Sequence, residues 1–173
     1  LKAVWHRGAV DADGKTGDGA GIHVEIPKDF FIEKIEVTGH DYDNAEICVG
    51  MIFLPRNDYS AQESCKTIVE SELTKNNFSI YGWRQVPVNP KILGQKALQT
   101  MPEIIQVLFK SNDNNLLEKN LERKIYETRN KIENKAFQLS LNNFYICSIS
   151  SKSIIYKGLY LAEAISDFYL DLK

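Results

Sequence analysis

No stretch of the 173 residues approaches the roughly 18 consecutive apolar residues of a membrane-spanning helix, so no such span is expected. The opening residues, Leu1 to Val10, contain no uninterrupted apolar core of the kind a secretory signal requires. A surplus of basic charge is missing too. Lys and Arg number 21 against 23 Asp and Glu, a formal net charge of −2, which argues against a nucleic-acid binder. Cysteine is scarce: Cys48, Cys65 and Cys147 form an odd, widely spaced set without a C-x-x-C. That suggests neither a disulfide framework nor a zinc site and points to a reducing compartment. The three residues sit in apolar strand-like or helical positions, so buried structural thiols are expected. His6, His23 and His40 are isolated and lack metal-ligand spacing. Methionine occurs only at 51 and 101, so Leu1 does not read as a translation start. A window on a longer protein, or a processed piece of one, is expected. No internal repeat and no low-complexity linker is present.

What remains is the mixture of a soluble globular domain, 43% hydrophobic and 25% charged, long enough for one sizeable core. Leu1–Gly8 reads as the last turns of a helix closed by Gly8. A polar, glycine-rich loop runs from Ala9 to Gly21, followed by a strand Ile22–Ile26 stopped by Pro27. A loop through Gly39 to Asn44 leads to an apolar strand, Ile47–Leu54, stopped by Pro55. Ser60-Ala61-Gln62-Glu63 fits a capping box. The helix it opens places Ala61, Cys65, Ile68, Val69 and Leu73 on one face and runs out at Asn76-Asn77.

Phe78–Val88 is strand-like up to Pro87, an irregular stretch holds Pro90 and Gly94, and Glu103–Phe109 is another strand. Leu117, Leu121, Ile125, Thr128, Ile132, Ala136 and Leu139 form the stripe of a long helix, with Glu127/Lys131 and Arg129/Glu133 pairs on its outer face. One such stretch is expected to lie on a sheet rather than in a coiled coil. Phe144–Ser150 and Ser153–Tyr160 read as an antiparallel pair, and Leu161 to Leu172 as a final amphipathic helix. Strands grouped between helices, rather than alternating with them, predict α+β with antiparallel sheets. Trp83 and Arg84 are neighbours on a strand and point to opposite faces, one expected in the core and one solvated.

The chemically suggestive stretch is His6 to Gly21. Gly14-Lys15-Thr16 lacks the glycine that a phosphate-binding loop places five residues earlier, since Ala9 stands there. Gly17-x-Gly19-x-Gly21 misses the dinucleotide fingerprint and leads into a strand. Asp11-Ala12-Asp13-Gly14 lacks the further ligands of a calcium loop. A nucleotide-binding protein is therefore disfavoured. Two readings stay open: turns that need glycine, or a loop that aims Arg7 and backbone amides at a small anion.

His6-Arg7-Gly8 followed by Asp18-Gly19-Ala20-Gly21-Ile22 resembles the opening motifs of class II, N-terminal-nucleophile glutamine amidotransferase domains. The long form, with Ala-Val-Asp-Ala-Asp-Gly-Lys-Thr-Gly between the motifs, is similar to glutamate synthase large subunits. Gly50–Pro55, Gly82–Val88, Glu122–Tyr126, Phe144–Ser148 and Tyr156–Leu159 extend the resemblance over the whole chain. It implies a four-layer αββα fold with two antiparallel sheets, here incomplete at both ends, with residues 1–173 part of a single amidotransferase domain.

It also implies glutamine hydrolysis, with the ammonia reacting with 2-oxoglutarate elsewhere in a parent enzyme that carries FMN and an iron–sulfur cluster. The nucleophile would be an N-terminal cysteine upstream of Leu1, activated by its own α-amine. An Asn-Gly oxyanion hole would lie beyond Lys173. No catalytic residue is then expected in this chain. Arg7, Gly8, Asp18 and Gly19 are the candidate substrate-binding or site-supporting residues. Arg7 has two open roles, positioning beside the nucleophile and clamping the loop through Asp11, Asp13 or Asp18.

The implied partners are glutamine, the remaining domains of the parent chain and a small NADPH-oxidising subunit. Neither nucleic acid nor a membrane is among them, no cofactor is expected within these residues, and the implied location is cytoplasmic or plastid. The segment alone is expected to be inactive. A catalytically empty relative, acting as a binding or scaffold module, is the competing reading.

Overall fold

The computed structural model describes residues 9–113 and 115–173. Leu1–Gly8, expected to end a helix, lies outside them. The chain forms two units, one of Leu1–His23, Val86–Met101 and Ile155–Lys173, the other of Val24–Gln85 and Pro102–Ile154.

The second unit is built on a four-stranded antiparallel sheet. β2 (Cys48–Leu54) lies between β4 (Glu103–Ser111) and β5 (Tyr145–Ser150), and β3 (Phe78–Gln85) pairs with the outer side of β4. Alternate residues of the central strands, Cys48, Ile52 and Leu54 with Ile105, Val107 and Phe109, enter one apolar cluster. Two helices cover that face. α2 (Tyr59–Lys75) brings Cys65, Ile68, Val69 and Leu73, and α4 (Glu118–Gln138) brings Leu121, Ile125 and Ile132. Full burial of each such side chain contributes about 1.5–3 kcal/mol. The expected stripe of α4 holds from Leu121 to Ala136, while its two end members, Leu117 and Leu139, cap the helix and stay exposed; the helix lies on a sheet as predicted.

Its outer pairs differ from expectation. Arg129 binds Glu133 as predicted, at 2.8 Å. Glu127, however, pairs with Arg123, while Lys131 donates to Asn76 Oδ1 at 2.6 Å across to α2. Lys135 and Glu72 form a second link between the helices. The helix–helix contact competes for the lysines that i,i+4 spacing would otherwise assign.

The helix start at Ser60 is corrected as well. Asp58 is the N-cap, its carboxylate accepting from the Ala61 amide at 2.9 Å, because a carboxylate two residues earlier is the stronger acceptor for the positive helix end.

One helix was not expected at all. α1 (Lys28–Val37) buries Phe31 and Ile35, one turn apart. Its aromatic and β-branched residues carry little helical propensity, and packing decides instead. Phe30 on α1 lies under the Arg84 guanidinium, 5.1 Å from ring centroid to carbon. Arg84 also donates to the fully buried Gln106 at 2.8 Å, so it is half-buried rather than solvated. Trp83, on the opposite face, is likewise half-buried. It packs against the core and donates to Glu70 at 2.7 Å.

The second sheet has two antiparallel strands, β1 (Ala20–Glu25) and β6 (Ser153–Gly158). β5 and β6 are therefore not the hairpin that the sequence suggests. They are consecutive but join different sheets, β5 to β2 and β6 to β1. Glu122 on α4 holds the turn between them, its carboxylate accepting from the Ser151 amide at 2.7 Å and hydroxyl at 2.8 Å and from the Ser150 hydroxyl.

Within the first unit the irregular stretch contains a 3-10 turn, Pro90–Ile92, and α3 (Gln95–Gln99). The expected final helix is broken into a 3-10 turn at Ala162–Ala164, α5 (Ile165–Phe168) and another 3-10 turn at Leu170–Leu172. Its breaks place Tyr156, Tyr160, Phe168 and Tyr169 in one aromatic group, with edge-on centroid distances of 4.9 Å for Tyr156–Tyr169 and 4.8 Å for Phe168–Tyr169. The fold is thus α+β with two antiparallel sheets, as predicted.

Candidate functional site

The glycine-rich loop closes on itself through a bridge between Val10 and Gly17. Inside it the Asp11 amide donates to Thr16 O and the Gly14 amide to Asp11 O, both at 2.9 Å. At its centre stands the Asp13 carboxylate. Oδ1 accepts from the amides of Lys15 at 2.9 Å and Thr16 at 2.7 Å, and Oδ2 accepts the Thr16 hydroxyl at 2.6 Å. The Thr16 bonds, the Lys15 amide and the Gln95 amide hold the Asp13 carboxyl down to about 2. A carboxylate already fills the place a phosphate would take, and Thr16 is buried. The phosphate-loop reading fails on geometry as it does on spacing.

The acidic residues tie the loop to one short segment. Lys96 reaches Asp11 at 2.5 Å, lowering the Asp11 carboxyl and raising its own ammonium. A side chain at Gly94 would collide with Thr16 Oγ1 and Asp13 Oδ2. At Gly17 a Cβ would stand 2.6 Å from the Tyr160 carbonyl oxygen. These two glycines are required by close approach. No group of three or more metal-ligating side chains occurs among the described residues.

Of the predicted site residues, Asp18 and Gly19 sit side by side and exposed at the loop exit into β1. The Asp18 amide donates to Ala9 O at 3.2 Å, and Gly19 adopts φ +122°. Arg7 and Gly8 lie outside the described residues. Two of the three carboxylates offered as clamps for Arg7 are engaged otherwise, Asp11 by Lys96 and Asp13 by the loop's own donors. Sequence reasoning missed Lys96, Gly94 and Tyr160. Each acts across a long sequence separation, and no local spacing signals it.

Cys48, Cys65 and Cys147 are buried, as expected. Burial pushes the Cys48 thiol far above its usual range and that of Cys65 up to about 11.

The profile of the glutamine amidotransferases class-II matches residues 1–173. The chain belongs to that family. Among proteins similar to it, the glutamate synthase [NADPH] large chain of Azospirillum brasilense is 51% identical over 172 residues, 99% of this chain. Ferredoxin-dependent glutamate synthase 1, chloroplastic/mitochondrial, of Arabidopsis thaliana is 40% identical over 175 residues, all of this chain. The ferredoxin-dependent enzyme of Pyropia yezoensis is 37% identical over 179 residues, 99% of this chain. The chain spans 11% of the length of each of these relatives. Within this class-II amidotransferase segment, the described residues supply an internally hydrogen-bonded loop and two sheets, and its described cysteines are core residues.

Proposed function

We propose that residues 1–173 form part of the glutamine-hydrolysing domain of a glutamate synthase, which releases ammonia for reductive conversion of 2-oxoglutarate to glutamate. The observation that carries this reading is the 51% identity over 99% of the chain to a glutamate synthase large chain. The loop at residues 9–21 supports it. A turn already braced by Asp13, Thr16 and Lys96 is a fixed platform with Asp18 and Gly19 at its exit, and Arg7 and Gly8, outside the described residues, are assigned to the site by the resemblance alone.

The nucleophile in this reading is the N-terminal cysteine of the parent, whose thiol attacks the glutamine carboxamide carbon. Ammonia leaves, and water hydrolyses the resulting thioester to glutamate. Cys48, Cys65 and Cys147 cannot take that role, because an internal cysteine has no free α-amine to serve as its base. The segment alone is therefore inactive. FMN and an iron–sulfur cluster belong to other parts of the parent. The three cysteines here lie on separate elements, and no three metal ligands cluster among the described residues, so they do not fit a cluster. Partners are the rest of the parent chain and a small NADPH-oxidising subunit, in the cytoplasm or a plastid.

The test is glutamate release from glutamine by the complete parent enzyme and by residues 1–173 alone. Turnover by the complete enzyme only is expected. Turnover by the segment that disappears when an internal cysteine is replaced would overturn the reading. A folded complete chain that binds glutamine without hydrolysing it would establish the scaffold alternative.

A further inference from the structure

The first unit is assembled from three stretches far apart in sequence, Leu1–His23, Val86–Met101 and Ile155–Lys173, and each pair of them is joined directly. The glycine-rich loop meets the second stretch at Gly94–Lys96. There the Gln95 amide donates to Asp13, Lys96 pairs with Asp11 at 2.5 Å, and the Gly94 backbone lies against Asp13 and Thr16 with no room for a side chain. The second stretch meets the third through a bridge between Val88 and Tyr169. It is flanked by the Asn89 amide donating to Phe168 O at 2.8 Å and the Leu170 amide to Pro87 O at 3.1 Å. The third stretch returns to the loop. A Cβ on Gly17 would stand 2.6 Å from the Tyr160 carbonyl oxygen, and one on Gly21 would stand 3.0 Å from that of Tyr156. Three joints close a ring.

Asp18 and Gly19 lie between the two glycines that press on the third stretch. The Gly94–Lys96 joint grips the other part of the loop, residues 11–16. The Val10–Gly17 bridge and the bond from the Asp11 amide to Thr16 O cross-link the two parts. A displacement at Asp11 is therefore passed to Thr16 and Gly17, and from there to Asp18. Asp13 and Gly94 are built into the turns themselves, so replacing either disturbs the backbone. Lys96 differs. Its side chain is 73% exposed and makes one ion pair among the described residues, to Asp11. Such an exposed pair adds little to global stability, so the contribution of Lys96 lies in where it holds the loop.

We propose that Lys96 is a positioning residue for glutamine hydrolysis. Through Asp11 it fastens the loop of residues 9–21 to the Gly94–Lys96 joint, and so fixes where Asp18 and Gly19 stand. The inference rests on the reading of the chain as part of a glutamine-hydrolysing domain, which supplies both the reaction and the role of Asp18 and Gly19. Small displacements of a positioned group are costly in catalysis even where they cost little in folding.

The complete parent enzyme carrying Lys96→Ala, Lys96→Arg or Asp11→Asn tests it. Glutamate formation is measured with glutamine and, separately, with ammonia as nitrogen donor, and amide hydrogen exchange is followed by peptide mass spectrometry. In Lys96→Ala and Asp11→Asn the glutamine-dependent kcat/KM is expected to fall about 3- to 30-fold. The ammonia-dependent rate should stay unchanged. Exchange should quicken in residues 9–21 and stay as slow as in the wild type in β2 and β4. Lys96→Arg, which keeps the charge, should restore both the kinetics and the exchange. A glutamine-dependent kcat/KM within about twofold of wild type in Lys96→Ala overturns the proposal, as does a loss that Lys96→Arg does not repair. Faster exchange in β2 and β4 as well overturns it too, since the loss then belongs to unfolding. Unchanged kinetics in a parent that hydrolyses glutamine remove this inference alone. A folded wild-type parent that hydrolyses no glutamine removes the reading on which it rests.

Discussion

Three donors converge on the Asp13 carboxylate from within its own loop, and a fourth, the Gln95 amide, from the segment that follows Gly94. All four favour the ionised form. The folded carboxyl titrates near 2, against 3.8 when unconstrained. A depressed carboxyl adds stability that is fully present above the unconstrained value and is lost as pH falls through the folded one. Thermal stability of the wild type should therefore drop between pH 4 and pH 2, and the drop should be smaller in Asp13→Asn. It does not vanish in that variant. Asp43, held down to about 2 by Lys110 and Tyr81, titrates over the same window. The double variant Asp13→Asn, Asp43→Asn should give the flattest profile of melting temperature against pH. An unchanged slope in both would show that neither carboxylate is engaged as described. Gly17 makes a second prediction at this scale. A methyl group placed 2.6 Å from the Tyr160 carbonyl oxygen forces backbone to move away from backbone. Gly17→Ala should cost about 1–3 kcal/mol in urea unfolding, whereas Ala at Gly14, which meets nothing within 4 Å, should lose only the strain of its positive φ.

Among the elements, the turn between β5 and β6 has the most demanding job, since it hands the chain from one sheet to another within Ser151 and Lys152. Glu122 makes that possible by accepting from one amide and two hydroxyls at the turn. Ser151 is itself buried, so its amide has no access to water. Glu122→Ala leaves that donor unsatisfied and should destabilise by about 2–3 kcal/mol in chemical denaturation. Glu122→Gln keeps one acceptor oxygen and should lose less. An equal loss for both would place the effect in charge rather than in the clamp. The serines around the turn look like a hairpin in sequence because the signal there is local: two β-rich runs across the short polar stretch Ser150-Ser151-Lys152. What sends the runs apart is the pairing of β5 with β2 and of β6 with β1, and neither partner is near in sequence. The stripe of α4 and the proline stops at Pro27 and Pro55 were legible for the opposite reason, since each is written within one turn or one strand end. α1 was not, because Phe31 and Ile35 give a helical spacing in a segment whose propensities favour a strand.

At the scale of the whole molecule the same division holds for the candidate site. The loop of residues 9–21 announces itself by composition. Its anchors, Lys96, Gly94 and Tyr160, come from stretches roughly 80 and 140 residues further along, and only the assembled unit of three separate stretches brings them to it. The other unit offers a direct measure of how such long-range packing behaves. Cys48 on β2 and Cys65 on α2 belong to one apolar cluster and are both fully buried. At pH 8 the folded Cys65, with its thiol near 11, is ionised to about one part in a thousand, and burial raises Cys48 further. Modification of either by a thiol reagent must then proceed through an opening of the cluster. If α2 and the sheet open together, both cysteines should label at closely similar rates in native buffer, and both rates should rise with the same dependence on urea. A weaker urea dependence at Cys65 would mean that α2 lifts off while β2 stays paired, because the smaller opening exposes less surface. The ties from α4 to α2, through Lys131–Asn76 and Lys135–Glu72, oppose that partial opening. Lys131→Ala with Lys135→Ala should therefore separate the two labelling rates even where the native protein shows one.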